Sequence, residues 1–280
     1  MGIIDTTLVI LLGVGMPRPN PAAQGPATAI VVGQRLFLVD AGPGVERQLA
    51  AAHLTISGPE ATFITHLHSD HTLGYPDLIL TSWVMGRTRP LAVFGPPGLK
   101  RMTDLILEAY SEDIQIRTEG LEHETRGGYR VDVHEVRPGV VYDSGGVKVT
   151  AIAVPHGSWP YAFGYRFDTP TRTVVVSGDT RPSATLEAAS RGVDVLVHEV
   201  YPQSELGPEN RPGGDDWPRY MRQFHTSDSE LGAIAARAKP KLLVLTHIVR
   251  AGATDSTLIA GIRLGGYTGP VAVGHDLGRY

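Results

Sequence analysis

The sequence contains no cysteine among its 280 residues. Disulfide bonds, thiolate metal sites and cysteine nucleophiles are therefore excluded. A bound metal ion would have to be held by histidine, aspartate or glutamate, a donor set that suits zinc, manganese or iron. The chain also has little net charge, -4 at neutral pH, which argues against a protein whose main task is to grip a polyphosphate backbone.

Apolar runs long enough to span a membrane are missing as well. The run TLVILLGVG at 7–15 is too short, no Lys or Arg precedes it, and no clear cleavage site follows it. We therefore interpret it as a buried first strand. From this we expect a cytoplasmic protein with no membrane partner.

Short runs rich in Val and Ile recur along the chain, and many of them end in Gly, Asp or His, as strands do. Helical patterns lie between groups of these runs. The pattern predicts an α+β fold with mixed sheets and outer helices, a four-layer αββα sandwich. No linker divides the chain, so residues 1–280 are predicted to form a single domain. Segments 110–140 and 201–224 show no clear pattern and are expected to be loops.

The densest group of ligand-type side chains lies in ITHLHSDHTLG at 64–74. At a strand end, residues two apart point to the same side, so His66 and His68 can converge on one ion. Asp70 and His71 follow a turn and can face a second ion. The alternative is a polar turn in which Asp70 caps a helix.

Three further candidates, His156, Asp179 and His247, each end a strongly apolar run. Taken singly, each could be a cap or a turn residue. Because active sites are commonly built from loops at one edge of a scaffold, we interpret them together with the motif at 66–71 as metal ligands.

The order H-x-H-x-D-H, then His, Asp and His, resembles the pattern of the metallo-β-lactamase superfamily over nearly the whole chain. The resemblance implies an αββα sandwich with two divalent metal ions. By that pattern, His66, His68 and His156 would hold one ion, Asp70, His71 and His247 the other, and Asp179 would bridge them.

Further elements, LLGVGMPRP, LVDAGPGVERQL, HEVY and FHTSDSELG, are similar to the ribonuclease Z and arylsulfatase branch. This similarity implies that His225 assists the leaving group and is paired with Glu199, while Asp70 orients the attacking hydroxide. A Glu partner orients an imidazole and raises its pKa, which suits a general acid. The alternative is that His225 caps the helix beginning in TSDSELG.

The resemblance thus implies a dinuclear zinc-dependent hydrolase that cleaves phosphodiester or aryl sulfate esters by attack of metal-bound hydroxide, with manganese or iron as alternative ions. Ribonuclease Z enzymes carry a long tRNA-binding arm, and only a short segment separates His156 from Asp179 here. We therefore expect a small-molecule ester as substrate and do not expect nucleic acid as a partner. A ribonuclease Z-type tRNA 3′ endonuclease, or a lactonase or thioesterase, remains an alternative.

Four residues are candidates for substrate contacts. Trp159 closely follows His156, and Trp217, Arg219 and Tyr220 precede His225. They could form a lid with an aromatic wall and an anion contact, or they could be anchors in a core or an interface. Formation of a homodimer is a further possibility, since proteins of this branch often form dimers.

Overall fold

The computed structural model describes residues 6–280, which fall into two compact units. The N-terminal unit runs through Val136 and includes Asp276–Tyr280, and the C-terminal unit is Arg137–His275. Residues 1–5 lie outside the described part. The prediction of a single domain over 1–280 stays a prediction.

Within the described residues, the N-terminal unit contains one six-stranded sheet whose strands follow chain order. The strands are β1 (Thr7–Gly13), β2 (Ala27–Val32), β3 (Arg35–Val39), β4 (Ala61–Phe63), β5 (Leu91–Gly95) and β6 (Val131–Glu135). The helices are α1 (Val45–Ala51), α2 (Ser69–Thr72), α3 (Tyr75–Val84), α4 (Leu99–Ala109) and α5 (Ser111–Glu119). The first three strands pair antiparallel, and the sheet continues parallel from β3 to β6.

The described part of the C-terminal unit contains a seven-stranded sheet, in which neighbouring strands again follow chain order. The strands are β7 (Gly139–Ser144), β8 (Val147–Ala153), β9 (Phe163–Asp168), β10 (Thr173–Val176), β11 (Val195–Val200), β12 (Leu242–Ile248) and β13 (Val271–Val273). The helices are α6 (Ala184–Ala189), α7 (Trp217–Phe224), α8 (Asp228–Ala238) and α9 (Asp255–Leu264). Strands β7 to β10 pair antiparallel, and β10 to β13 pair parallel.

Each unit has its own apolar core between sheet and helices. In the N-terminal unit, Leu38 of β3 packs in one cluster with Leu49 of α1 and Leu78 of α3. In the C-terminal unit, Leu243 of β12 packs with Leu231 of α8. All five side chains are fully buried, and each such burial contributes roughly 1.5–3 kcal/mol. These cores fix the strand ends from which the candidate site residues project.

Most of the predicted elements are confirmed, including the α+β class and the buried first strand at 7–15, which contains β1. The prediction that 110–140 is a loop is wrong, because α5, β6 and the start of β7 lie there. Their residues are mostly exposed and polar, so they lack the apolar periodicity by which such elements are recognised. Segment 201–224 is irregular up to residue 216, apart from two short 3-10 turns, and then forms α7. No helix in residues 6–280 has the length and apolar character needed to cross a membrane.

Candidate functional site

The histidine motif of the N-terminal unit lies directly after β4. His66 and His68 precede α2, whereas Asp70 and His71 belong to it. Nε2 of His66 is 2.9 Å from Nδ1 of His68, and the rings of His66 and His71 are 4.2 Å apart. Nε2 of His71 lies 3.7 Å from Oδ2 of Asp70. The sequence therefore brings four ligand-type side chains into one small region, three of them buried and His68 half-buried.

A buried carboxylate, Asp40, orients two of these histidines. It accepts hydrogen bonds from the Thr65 backbone N–H at 2.8 Å and from Nδ1 of His71 at 2.8 Å. The Thr65 hydroxyl donates to Asp40 and so accepts from Nδ1 of His66, 3.0 Å away. Both histidines therefore carry their proton on Nδ1, which leaves a lone pair on Nε2. This is the orientation that outer partners impose on metal-binding histidines.

In the C-terminal unit, the candidates lie near the carboxyl ends of neighbouring parallel strands. Asp179 follows β10, Glu199 is in β11, and His247 is in β12. His247 has φ of 41°, in the left-handed region that few residues other than glycine adopt. His156 follows β8, and His225 follows α7. One sheet edge thus collects side chains that are far apart in the sequence.

Three histidines of the C-terminal unit surround the Asp179 carboxylate. Its Oδ2 lies 3.5 Å from Nε2 of His247, 3.9 Å from Nδ1 of His225 and 4.0 Å from Nε2 of His156. All four side chains are buried. Nδ1 of His156 donates to the backbone carbonyl of Phe224 at 2.8 Å, so Nε2 of His156 also keeps a lone pair on the side of Asp179.

Glu199 and His225 form a buried pair, as the family resemblance implied. Nδ1 of His225 lies 3.2 Å from each carboxyl oxygen of Glu199, and the Thr180 backbone N–H donates to Oε1 at 3.0 Å. Burial, and then the nearby Asp179, raise the pKa of Glu199 well above its usual range. Burial lowers the pKa of the adjacent His198 to about 4, so His198 stays neutral. The geometry of the Glu199–His225 pair suits general acid catalysis.

The alternative that His225 caps α8 is wrong. The N-cap is Ser227, whose hydroxyl accepts from the Glu230 backbone N–H, while the Glu230 side chain accepts from the Ser227 N–H. This is a capping box. The imidazole of His225 is therefore not used for helix capping.

The predicted substrate contacts have mixed surroundings. Trp159 is half-buried in a tight turn, in which its backbone N–H donates to the His156 backbone carbonyl at 3.0 Å. Trp217 and Tyr220 are half-buried and stack on α7, with ring centroids 5.3 Å apart. Arg219 is exposed and pairs with Asp216 at 2.9 Å. Their contacts with a substrate stay predictions, as do the roles of the other site residues.

The residues that orient these histidines were not predicted from the sequence. Asp40, Thr65 and the carbonyl of Phe224 were given no role. Asp40 had a signal that could have found it, because it ends an apolar strand run just as Asp179 does. A backbone carbonyl leaves no such trace in a sequence.

Comparison with known proteins places these observations in a family. The family model described as "Beta-lactamase superfamily domain" matches residues 35–248. A ribonuclease Z of Mycobacterium sp. (strain KMS) is 38% identical over 245 residues, covering 85% of this chain and 83% of the relative. A ribonuclease Z of Mycobacterium marinum is 34% identical over 282 residues, covering 97% of each. The metallo-β-lactamase fold protein YhfI from Bacillus subtilis has a similar fold, with a TM-score of 0.73, 18% identity and 99% coverage of both chains.

These comparisons overturn one expectation from the sequence. Nucleic acid was not expected as a partner, and this is wrong, because relatives that match almost end to end are named for ribonuclease activity. The expectation rested on the short segment between His156 and Asp179, which holds only the β9–β10 hairpin. A relative that matches over 97% of both chains carries the ribonuclease name, so the shortness of this segment is not decisive. The comparisons favour the alternative, an RNA-processing enzyme, over a small-ester hydrolase.

Proposed function

The chain belongs to the metallo-β-lactamase superfamily, in its ribonuclease Z-like branch, and on that premise we propose that it is a metal-dependent endonuclease of tRNA precursors. The bond cleaved would be the phosphodiester that joins the tRNA to its 3′ trailer. The observation that carries this proposal is the buried Glu199–His225 pair beside Asp179, in a chain that aligns over 97% of its length with a ribonuclease Z.

The donor set fits divalent metal ions. His66, His71 and His156 each direct Nδ1 to a hydrogen-bond acceptor, so Nε2 is the nitrogen of each ring that would bind a metal ion. With no thiolate in the chain, nitrogen and carboxylate donors favour zinc, and also accept manganese or iron. Ligand roles are proposed for His66, His68, Asp70, His71, His156, Asp179 and His247. Two bound ions would supply an activated water and neutralise charge on the phosphoryl oxygens.

The chain's own residues would divide the proton transfers. Asp70 would hold the attacking water by accepting its proton at a carboxylate oxygen. His225, with Nδ1 held by Glu199, would present Nε2 to the leaving oxygen and donate a proton as the P–O bond breaks. Glu199 would orient the ring through its contact with Nδ1 of His225.

The test is cleavage of a tRNA precursor with a 3′ trailer by the metal-loaded protein and by His225→Ala. We expect the variant to lose about 10²–10⁴-fold in kcat, the usual contribution of a general acid, with an unchanged metal content. His123→Ala is the matched control, because it removes an exposed imidazole. An unchanged kcat in His225→Ala, or no cleavage of the precursor by the parent protein, would contradict the proposal.

A further inference from the structure

Three aromatic side chains form a continuous stack along α7. Trp217, Tyr220 and Phe224 occupy positions i, i+3 and i+7, which share one helix face. The Trp217 and Tyr220 rings are 5.3 Å apart and inclined by 14°, and the Tyr220 and Phe224 rings are 4.2 Å apart and inclined by 20°. All three are only half-buried. The stack is thus accessible at its side and is not part of a closed core.

The inner end of this aromatic stack lies at the candidate site. Phe224 is 5.1 Å from the His156 ring, and its carbonyl fixes the His156 tautomer. Tyr220 is 5.7 Å from the His225 ring. Gly157 makes the close packing possible, because a Cβ at that position would collide with the Phe224 ring.

The outer end of the stack is covered by a cation. The Arg211 guanidinium lies 5.1 Å from the centroid of the Trp217 ring and pairs with Glu209. Arg211 is half exposed, so solvent keeps the cation–π attraction between its guanidinium and the Trp217 ring weak. A planar group that stacks on Trp217 could displace the guanidinium at this small cost.

We propose that the Trp217 face is a stacking platform for a nucleobase of the single-stranded 3′ trailer, with Arg211 moving from the ring to a trailer phosphate. The inference rests on the function proposed above and adds a substrate contact to it. Unpaired bases stack on aromatic side chains, whereas bases inside a duplex do not offer their faces. The trailer is the unpaired side of the scissile bond.

The distance between Trp217 and His225 along α7 indicates which base of the trailer would reach Trp217. Trp217 precedes His225 by eight positions, or about 12 Å along a helix. At about 3.4 Å per stacked nucleotide, the platform would meet a base roughly three to four nucleotides from the cleaved bond. A single-ring aryl ester bound at the site would not reach it.

The experiment compares two tRNA precursors, one with a trailer of a single nucleotide and one with a trailer of about five nucleotides. For Trp217→Ala, we expect KM for the long trailer to rise about tenfold, the loss typical of one stacked base, with little difference from the parent on the short trailer. Trp217→Phe should restore most of the affinity. Tyr161→Ala, which removes another exposed aromatic ring of the same unit, is the matched control.

A second variant tests the phosphate contact without disturbing the helix. Arg211→Ala should weaken binding of the long trailer and reduce the slope of log Kd against log salt by about one. Quenching of tryptophan emission by the long-trailer RNA should decrease in Trp217→Phe, because Trp83 is fully buried and only the half-buried Trp159 stays accessible among the remaining tryptophans. If the parent cleaves both precursors and Trp217→Ala shows the same KM ratio as the parent, the stacking proposal is wrong and the endonuclease proposal stands. If the parent cleaves neither, the endonuclease proposal itself fails.

Discussion

Replacing Glu46 by glutamine should stabilise the protein at alkaline pH. Glu46 lies in the first turn of α1 and is 4% exposed, and neither of its carboxyl oxygens has a hydrogen-bond partner among the described residues. Burial, and then the charge of Asp77, raise the pKa of Glu46 to about 8, while Arg87 acts in the opposite direction. The folded protein therefore keeps this carboxyl protonated under conditions in which the unfolded chain ionises it.

Proton linkage gives the direction in which the free energy of unfolding changes with pH. Below about pH 4.5 the group is neutral in both states and costs nothing through ionisation. As pH rises from 4.5 towards 8, the unfolded chain loses the proton and the folded chain retains it, so the free energy of unfolding falls. Above about pH 8 the group is ionised in both states, so the lost free energy of unfolding stays constant. A shift from 4.5 to about 8 corresponds to at most about 5 kcal/mol, and relaxation of the surroundings reduces this to about 1–3 kcal/mol.

The assay is urea unfolding of parent and Glu46→Gln at several values between about pH 5 and about pH 9. Glutamine has no proton to lose, so the variant should gain stability over the parent as pH rises and match it most closely at the acid end. Glu108→Gln, at an exposed position, should stay within about 0.5 kcal/mol of the parent throughout. A stability difference for Glu46→Gln that does not change with pH would show that the Glu46 carboxyl is not held protonated by the folded protein.

Three further substitutions test other contacts. Asp40→Asn keeps the shape of the side chain but removes the charge that orients His71, so zinc affinity should fall about 10–100-fold, measured by competition with a chromophoric chelator. An unchanged zinc affinity would show that Asp40 does not support metal binding. Gly157 has φ of 51°, and Gly157→Ala places a Cβ against the Phe224 ring, so the free energy of unfolding measured by urea titration should fall by about 1–3 kcal/mol. An unchanged free energy of unfolding would show that the Phe224 ring moves freely. Ser227→Ala removes the capping box of α8 and should lower the free energy of unfolding by about 1 kcal/mol in the same titration. An unchanged value would show that other contacts hold this helix end.

Much of the candidate site could be predicted because its residues interrupt apolar strand patterns. His66, Asp179 and His247 each follow or end a run of buried aliphatic residues, where a polar side chain needs a reason to be present. The partners that orient them were harder to find. The partner of His156 is the backbone carbonyl of Phe224, a group that every residue type has. The contact between Asp40 and His71 joins residues 31 positions apart in the sequence.

The errors also have physical causes. Helix α5 carries mostly exposed polar residues and an Asp113–Arg117 ion pair, so charge spacing, and not apolar periodicity, marks it as a helix. His225 lies next to a helix start, and only the observed hydrogen bonds show that Ser227 is the cap. Nucleic acid was wrongly not expected as a partner because the length of one segment was taken as decisive, whereas binding of RNA depends on surfaces that several segments supply.

Action of the site on RNA is tested by kcat/KM of the metal-loaded protein for a tRNA precursor, measured beside kcat/KM for bis(p-nitrophenyl) phosphate, an aryl sulfate and a lactone. We expect cleavage at the junction of tRNA and trailer, and a kcat/KM for the precursor well above that for each small ester. A higher kcat/KM for any of the small esters, with the precursor left intact, would contradict this expectation.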